Sequence, residues 1–345
     1  MAIWHGRRGP LFICYDQEPL YGDFNFALLD YISDHYQGPH VLVTTEKHSD
    51  ALDAIQARYQ WPTVYYFHHI FAAHDWYRGF RFNYKLIRPD QRQLKKHYIA
   101  LNRITSARRV YRTLLVNEFI KNDILDQGYV SFSRNCPEGG DYQDHVHAAV
   151  SQGWITPELA TEVIANINAC PSSFRIDHAD ADFIPNQSMV LGIEEFAQQS
   201  FCFVVTETCF WEPKYHLTEK IFKPIISQMP FILVGPAHNL EYLRSYGFQT
   251  FSNWWDEGYD AIPDPVDRLS AIGNLLTHIS NQSLDDLSVM LTDMAPVLKH
   301  NYELFNSQEF LDTAWAELTT NLQASVSDFE PIDYSTLGLH LQDHR

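Results

Sequence analysis

Residues 206–235 read TETCFWEPKYHLTEKIFKPIISQMPFILVG, and the fold class follows from them. The stretch closes an apolar run, Phe201-Cys202-Phe203-Val204-Val205, with the length and composition of a buried strand ending at Glu207. Thr218-Glu219-Lys220 is followed at once by Ile221, Phe222, Ile225 and Ile226, positions that share one face of a helix. Pro224 is awkward inside that helix and predicts a kink. Phe231-Ile232-Leu233-Val234 is a second short strand, stopping at Gly235. Strand, loop, helix, strand is the repeating unit of a parallel α/β sheet, with its polar residues gathered on the loops.

The same stretch has a chemical reading. The free N–H groups and the dipole at a helix start attract an anion, phosphate above all. Lys220 adds a mobile positive charge in that turn. Glu219 has the wrong sign for phosphate and suits hydroxyl donors such as those of a ribose. Side by side, the two suit a sugar nucleotide. Ordinary capping accounts for the same residues: Thr218 as N-cap, Glu219 stabilising the first turn, Lys220 in solvent.

Upstream, strand and helix patterns alternate. Apolar strands are expected at residues 11–15, 40–44, 63–67, 98–101 and 130–132. Asp23 is placed to cap a helix burying Phe24, Leu28, Leu29 and Ile32, and Ser49 one burying Leu52, Ile55 and Tyr59. A long helix is expected over 105–121, and others over 144–152 and 156–168. Residues 170–185, CPSSFRIDHADADFIP, read as a linker; Asp177, Asp180 and Asp182 hint at calcium but lack the glycine and terminal glutamate of an EF-hand loop. Downstream, helices are expected at 189–199, 238–247, 265–279, 284–298 and 301–321, and a short strand opens 248–256. The tail from Ser325 is polar with little periodicity. The expected fold is α/β with two Rossmann-like domains facing a cleft: residues 1–185, residues 186–325 and a tail of 326–345.

Composition narrows the classes. The 345 residues carry a formal charge of −18, which opposes a duplex nucleic-acid track, because phosphate neutralisation supplies most of that affinity. One basic zone remains, from Arg78, Arg81, Lys85, Arg88 and Arg92 to Arg103, Arg108, Arg109 and Arg112; it draws anionic substrates or is a solvated charged face. Nucleic acid is thus disfavoured as a partner without being ruled out. No apolar run approaches the roughly 20 residues of a membrane span, and the N-terminal apolar run breaks too early for a signal peptide. Five cysteines with no metal-like spacing fit a reducing, cytoplasmic setting. Glu18, between Asp16 and Pro19 after the first strand, is a reasonable general base. His68-His69 and His74-Asp75 invite a metal reading, yet an acceptor wall suits this aromatic run better, so no metal ligands are assigned.

The pattern of Glu207, then Tyr215-His216-Leu217-Thr218-Glu219-Lys220-Ile221, then Pro230 and its strand, resembles the donor-site signature of the alpha-1,3-fucosyltransferase family. Asn102 followed by Ser106-Ala107-Arg108-Arg109-Val110-Tyr111 resembles that family's second segment, in the right order. This chain has His216 where the family commonly has tyrosine, and Thr208 rather than asparagine after Glu207. The resemblance implies a GT-B-like architecture and an inverting, metal-independent glycosyltransferase without a cofactor. Its donor would be a nucleoside-diphosphate sugar, GDP-fucose by default, and its acceptor a glycan or other hydroxyl. Arg108 and Lys220 would bind the diphosphate and Glu219 the ribose. Glu207 would lie by the transferred sugar, and Tyr215 and His216 would complete the donor site. Two alternatives stand beside it: a related transferase modifying a nucleic-acid base or protein, and an inactive nucleotide-sugar-binding module.

Overall fold

A computed structural model gives the fold and describes residues 10–22, 24–78, 88–170 and 194–327. Seven strands are present among these: β1 (Leu11–Tyr15), β2 (His40–Thr44), β3 (Thr63–Tyr65), β4 (Lys96–Asn102), β5 (Gly128–Phe132), β6 (Ser200–Thr206) and β7 (Phe231–Val234). The helices of the first half are α1 (Ala27–His35), α2 (Asp50–Tyr59), α3 (His68–Arg78), α4 (Tyr111–Lys121), α5 (Tyr142–Ser151) and α6 (Pro157–Ala169). Those of the second are α7 (Glu194–Gln198), α8 (Phe222–Ile226), α9 (Asn239–Ser245), α10 (Pro265–Ser280), α11 (Leu284–Asp293), α12 (Ala295–Phe305) and α13 (Gln308–Val326). The α/β class with parallel sheets is as expected from the sequence.

The chain divides into two compact units, residues 1–68 with 312–345, and residues 69–311. In the first, β1, β2 and β3 form a parallel sheet in that order. Alternate residues of β2 serve its two faces, as the pleat requires. Leu42 joins Leu11 and Ile13 beneath Leu29, Ile32 and Ile55 of α1 and α2. Val41, Val43 and Val64 face the other way, and Leu318, Leu322 and Val326 of α13 pack against them. Ser49 caps α2, its hydroxyl accepting from the Leu52 amide at 3.4 Å.

In the second unit the sheet order is β5-β4-β6-β7, all parallel. Ala100 of β4 lies opposite Val204 of β6, and Val205 opposite Leu233 of β7. Every residue of β6 is buried, which explains its unbroken apolar reading: a central parallel strand has no solvent face. Helix α4 is buried from Tyr111 to Phe119 and packs against α6 and α10.

This division differs from the expected boundary at 185. Strands β4 and β5 lie N-terminal to it, yet they share a sheet with β6 and β7. Residues 312–326, expected in the second domain, belong with the first unit through α13, which also runs past the expected start of the tail. The two helices expected over 284–321 are three. Proline in its first turn restarts α12, and the Ser307 hydroxyl caps α13 by accepting from the Phe310 amide at 3.1 Å. No strand forms at Phe248; residues 248–256 are turns and loop. Asp23, Arg81, Lys85, Asp177, Asp180, Asp182, the start of the 189–199 helix and the tail beyond 327 lie outside the described residues.

Candidate functional site

The order β5-β4-β6-β7 has one reversal. The chain leaves β4 toward β5, then returns to place β6 on the opposite side of β4. Loops that follow β4 and β6 therefore part in opposite directions. The crevice outside the carboxyl ends of such strands is where open parallel sheets take their ligands. Residues 103–110 follow β4 and residues 207–221 follow β6, so the two segments singled out in the sequence meet at this point.

Buried hydrogen bonds lock the two loops together. Arg112, at the start of α4, donates to the carbonyls of Ile104 (2.9 Å), Thr206 (3.1 Å) and Glu207 (3.0 Å). The Tyr111 hydroxyl also donates to the Glu207 carbonyl. The Trp211 indole donates to the Arg108 carbonyl at 2.8 Å, and the Arg108 guanidinium pairs with Glu212. Ala107, just before Arg108, holds a left-handed backbone with φ of +48°. A non-glycine residue adopts that only where its surroundings compel it. On the far side, Asn239 accepts from the His216 amide at 3.0 Å and donates to the Lys214 carbonyl at 2.8 Å.

Thr218 is the hub of the second loop. Its hydroxyl donates to one Glu207 carboxylate oxygen, and its amide donates to the other at 3.2 Å. The Thr208 amide donates to Glu207 as well, at 3.3 Å. Glu207 is fully buried and knits the loop internally. Burial pushes its carboxyl up, against the opposing pull of Lys220 and Thr218. The Lys220 ammonium donates to Thr208 Oγ1 (3.1 Å), Thr218 Oγ1 (3.0 Å) and Glu219 Oε1 (3.1 Å). Burial also opposes charge on Glu219, but Lys220 and His69 beside it outweigh that and bring it down to about 2. His69 Nδ1 lies 3.6 Å from Glu219 Oε2, and its ring meets the His216 ring edge-on at 5.7 Å.

His216 is fully buried and neither ring nitrogen has a hydrogen-bond partner. Burial first, then His69, Lys214 and Lys220, holds its pKa well below the usual histidine range. Lys214 is buried too, its ammonium 3.5 Å from Glu212, so Glu212 bridges two cations. Three basic side chains, Arg108, Lys214 and Lys220, are thus gathered at the carboxyl ends of β4 and β6 in a strongly acidic chain.

The helix start expected after Thr218 takes a different form. The residues after Thr218 make a three-residue 3₁₀ turn, Glu219–Ile221, and then the five-residue α8. Pro224 supplies no N–H to lengthen it, and so short a helix adds little dipole. The positive charge here is carried by side chains.

Glu207, His216, Glu219 and Lys220 are brought together, and Arg108 lies at the same crevice through Glu212. Tyr215 stacks its ring on Tyr242, 5.2 Å between centroids and 17° from parallel. Glu18 belongs to the other unit, exposed in the loop after β1. Two residues before it, Asp16 accepts from the Tyr66 hydroxyl at 2.6 Å, and Tyr66 contacts His68 Nδ1 at 3.0 Å. His68 and His69 therefore part company: the first joins an acid–tyrosine cluster at the carboxyl edge of β1 and β3, the second faces Glu219. The run 68–78, read as an acceptor wall, is helix α3. Among the described residues no group of three His, Cys, Asp or Glu side chains is arranged to hold a metal ion. Nor is any described helix long and apolar enough to cross a membrane.

Sequence reasoning passed over Glu212, Lys214, Trp154 and Trp211. Lys214 and Glu212 stood in the quoted stretch as charges flanking Pro213, a usable signal. Trp154 had only Gly153 before it, just past an expected helix end. Compared with known proteins, the chain matches no family model, no curated protein and no solved structure.

Proposed function

We propose that this protein is a glycosyltransferase that moves a sugar from a nucleoside-diphosphate donor to an acceptor hydroxyl. The observation that carries the reading is the convergence of Arg108, Lys214 and Lys220 at the switch point of the second sheet, on the loops that bear the fucosyltransferase-like segments. A leaving diphosphate needs positive charge where its own charge develops. Lys220 and Arg108 supply it by exchanging their present carboxylate and hydroxyl partners for phosphate oxygens, without a metal. Glu219, held ionised, is the acceptor for ribose hydroxyls; Glu207 shapes the loop beneath. Glu18 is assigned the acceptor proton from its place after β1 and before Pro19, with Asp16 as its rival. Fucose and GDP are the default donor parts, a glycan the default acceptor, and a GT-B-like two-domain architecture belongs to the same proposal.

The test is binding followed by turnover. Calorimetry with GDP and with inorganic pyrophosphate is expected to show Lys220→Met losing about 1.5–3 kcal/mol toward both, the worth of a charge-assisted hydrogen bond. Sugar-nucleotide hydrolysis by the wild type is expected to persist in EDTA. A folded Lys220→Met variant with wild-type affinity for both probes removes the anion site and the proposal with it.

A further inference from the structure

Arg108 does not stand alone at the switch point. Its guanidinium lies 5.3 Å from the ring centre of Trp154, and Trp154 stacks on Trp211 with centroids 5.4 Å apart and planes 20° from parallel. Three chain segments supply this group. Trp211 comes from the loop after β6 and is tied to the loop after β4 by its indole hydrogen bond to Arg108. Trp154 is set by the end of α5. Gly153 takes a left-handed φ of +72°, its amide donates to Val150 and the Trp154 amide donates to Ala149, both closing the helix. That turn fixes where the indole leaves the backbone.

Both indoles are only half-buried. A stacked pair of part-exposed indoles beside a guanidinium combines a flat π surface with a positive charge. Flat, polarisable rings bind there by stacking, and anions attached to them meet the cation. A nucleobase carrying a diphosphate has both features; a free sugar or a bare phosphate has only one of the two complements.

We propose that Trp154 and Trp211 form the nucleobase-stacking subsite for the donor, next to the cations that take its diphosphate. This rests on the nucleotide-sugar reading of the same crevice, and the experiment separates the two. Wild type, Trp154→Ala, Trp154→Phe and Lys220→Met, each checked for fold by circular dichroism, are titrated with inorganic pyrophosphate and with GDP, UDP, ADP and CDP. Tryptophan quenching and calorimetry are the readouts. For the tightest nucleotide, Trp154→Ala is expected to lose about 5- to 100-fold in affinity, the usual range for one base–aromatic stack. Its pyrophosphate affinity is expected to stay unchanged, and Trp154→Phe to recover most of the nucleotide affinity.

Wild-type nucleotide affinity in Trp154→Ala overturns the subsite. So does equal loss of pyrophosphate and nucleotide in that variant, which marks Trp154 as merely structural. Pyrophosphate binding by the wild type without any preference for nucleotides overturns the subsite but leaves the anion site standing. No binding of any probe overturns both.

Discussion

A buried histidine with no hydrogen-bond partner is costly, and His216 is the clearest such residue here. Around it stand His69, Lys214, Lys220 and Glu219, so a proton on its ring would meet two ammonium groups and one carboxylate. The folded pKa is depressed. As pH falls below about 6.5 the unfolded ring takes a proton that the folded ring refuses, and stability is lost. His40 and His68 are shifted in the same sense by burial. Glu219 acts likewise only between its ordinary range and about 2, while Glu207, shifted up by burial, acts above its ordinary range and in the opposite sense to the histidines. Glu257 and Asp260, also raised by burial, act in the same sense as Glu207, so the histidine share is read by comparing wild type with a single histidine variant. His216→Leu removes two unpartnered nitrogens and the titration together. Urea midpoints are expected to show it no less stable than wild type at pH 7, with the fall to pH 5 smaller by about 1–2 kcal/mol. An identical pH dependence in the two proteins contradicts this account of His216.

At the scale of elements, the first turn of α4 does most to assemble the crevice. Arg112 reaches three carbonyls on two loops, and a planar guanidinium can satisfy that fork where an ammonium cannot. Arg112→Lys is expected to cost about 2–3 kcal/mol in denaturant unfolding, because buried carbonyls lose charge-assisted donors. It is also expected to weaken nucleotide binding without touching the ligand, since Arg108 and the loop after β6 lose their common anchor. Unchanged stability and affinity together would show that Tyr111 and Trp211 suffice to hold the loops. Much of this level was legible beforehand. β1, β2 and β7 have the bounds their apolar runs predict, and Ser49 is the expected cap. Helix breaks within 284–326 were legible only in part: one was expected after Leu298, whereas the helices break before Pro296 and again at Ser307.

For the whole molecule, the return of α13 to the first unit matters most. Val41, Val43 and Val64 are buried with that helix against them, so residues 312–326 complete a core begun far earlier in the chain. Truncation after residue 311 is expected to strip hydrogen-exchange protection from β1–β3 while β4–β7 retain theirs. Full protection of β1–β3 in the truncated chain would mean that α13 is dispensable. Sequence by itself determined the class of the fold and the polar loop of Thr218, Glu219 and Lys220, since strand and helix periods and turn chemistry are written over short windows. Tertiary structure alone decided that β4 lies between β5 and β6, that α13 covers the first sheet, and that Trp154 meets Arg108 and Trp211. Strand pairing and helix docking join residues far apart in the chain, and no local period records which apolar face will meet which.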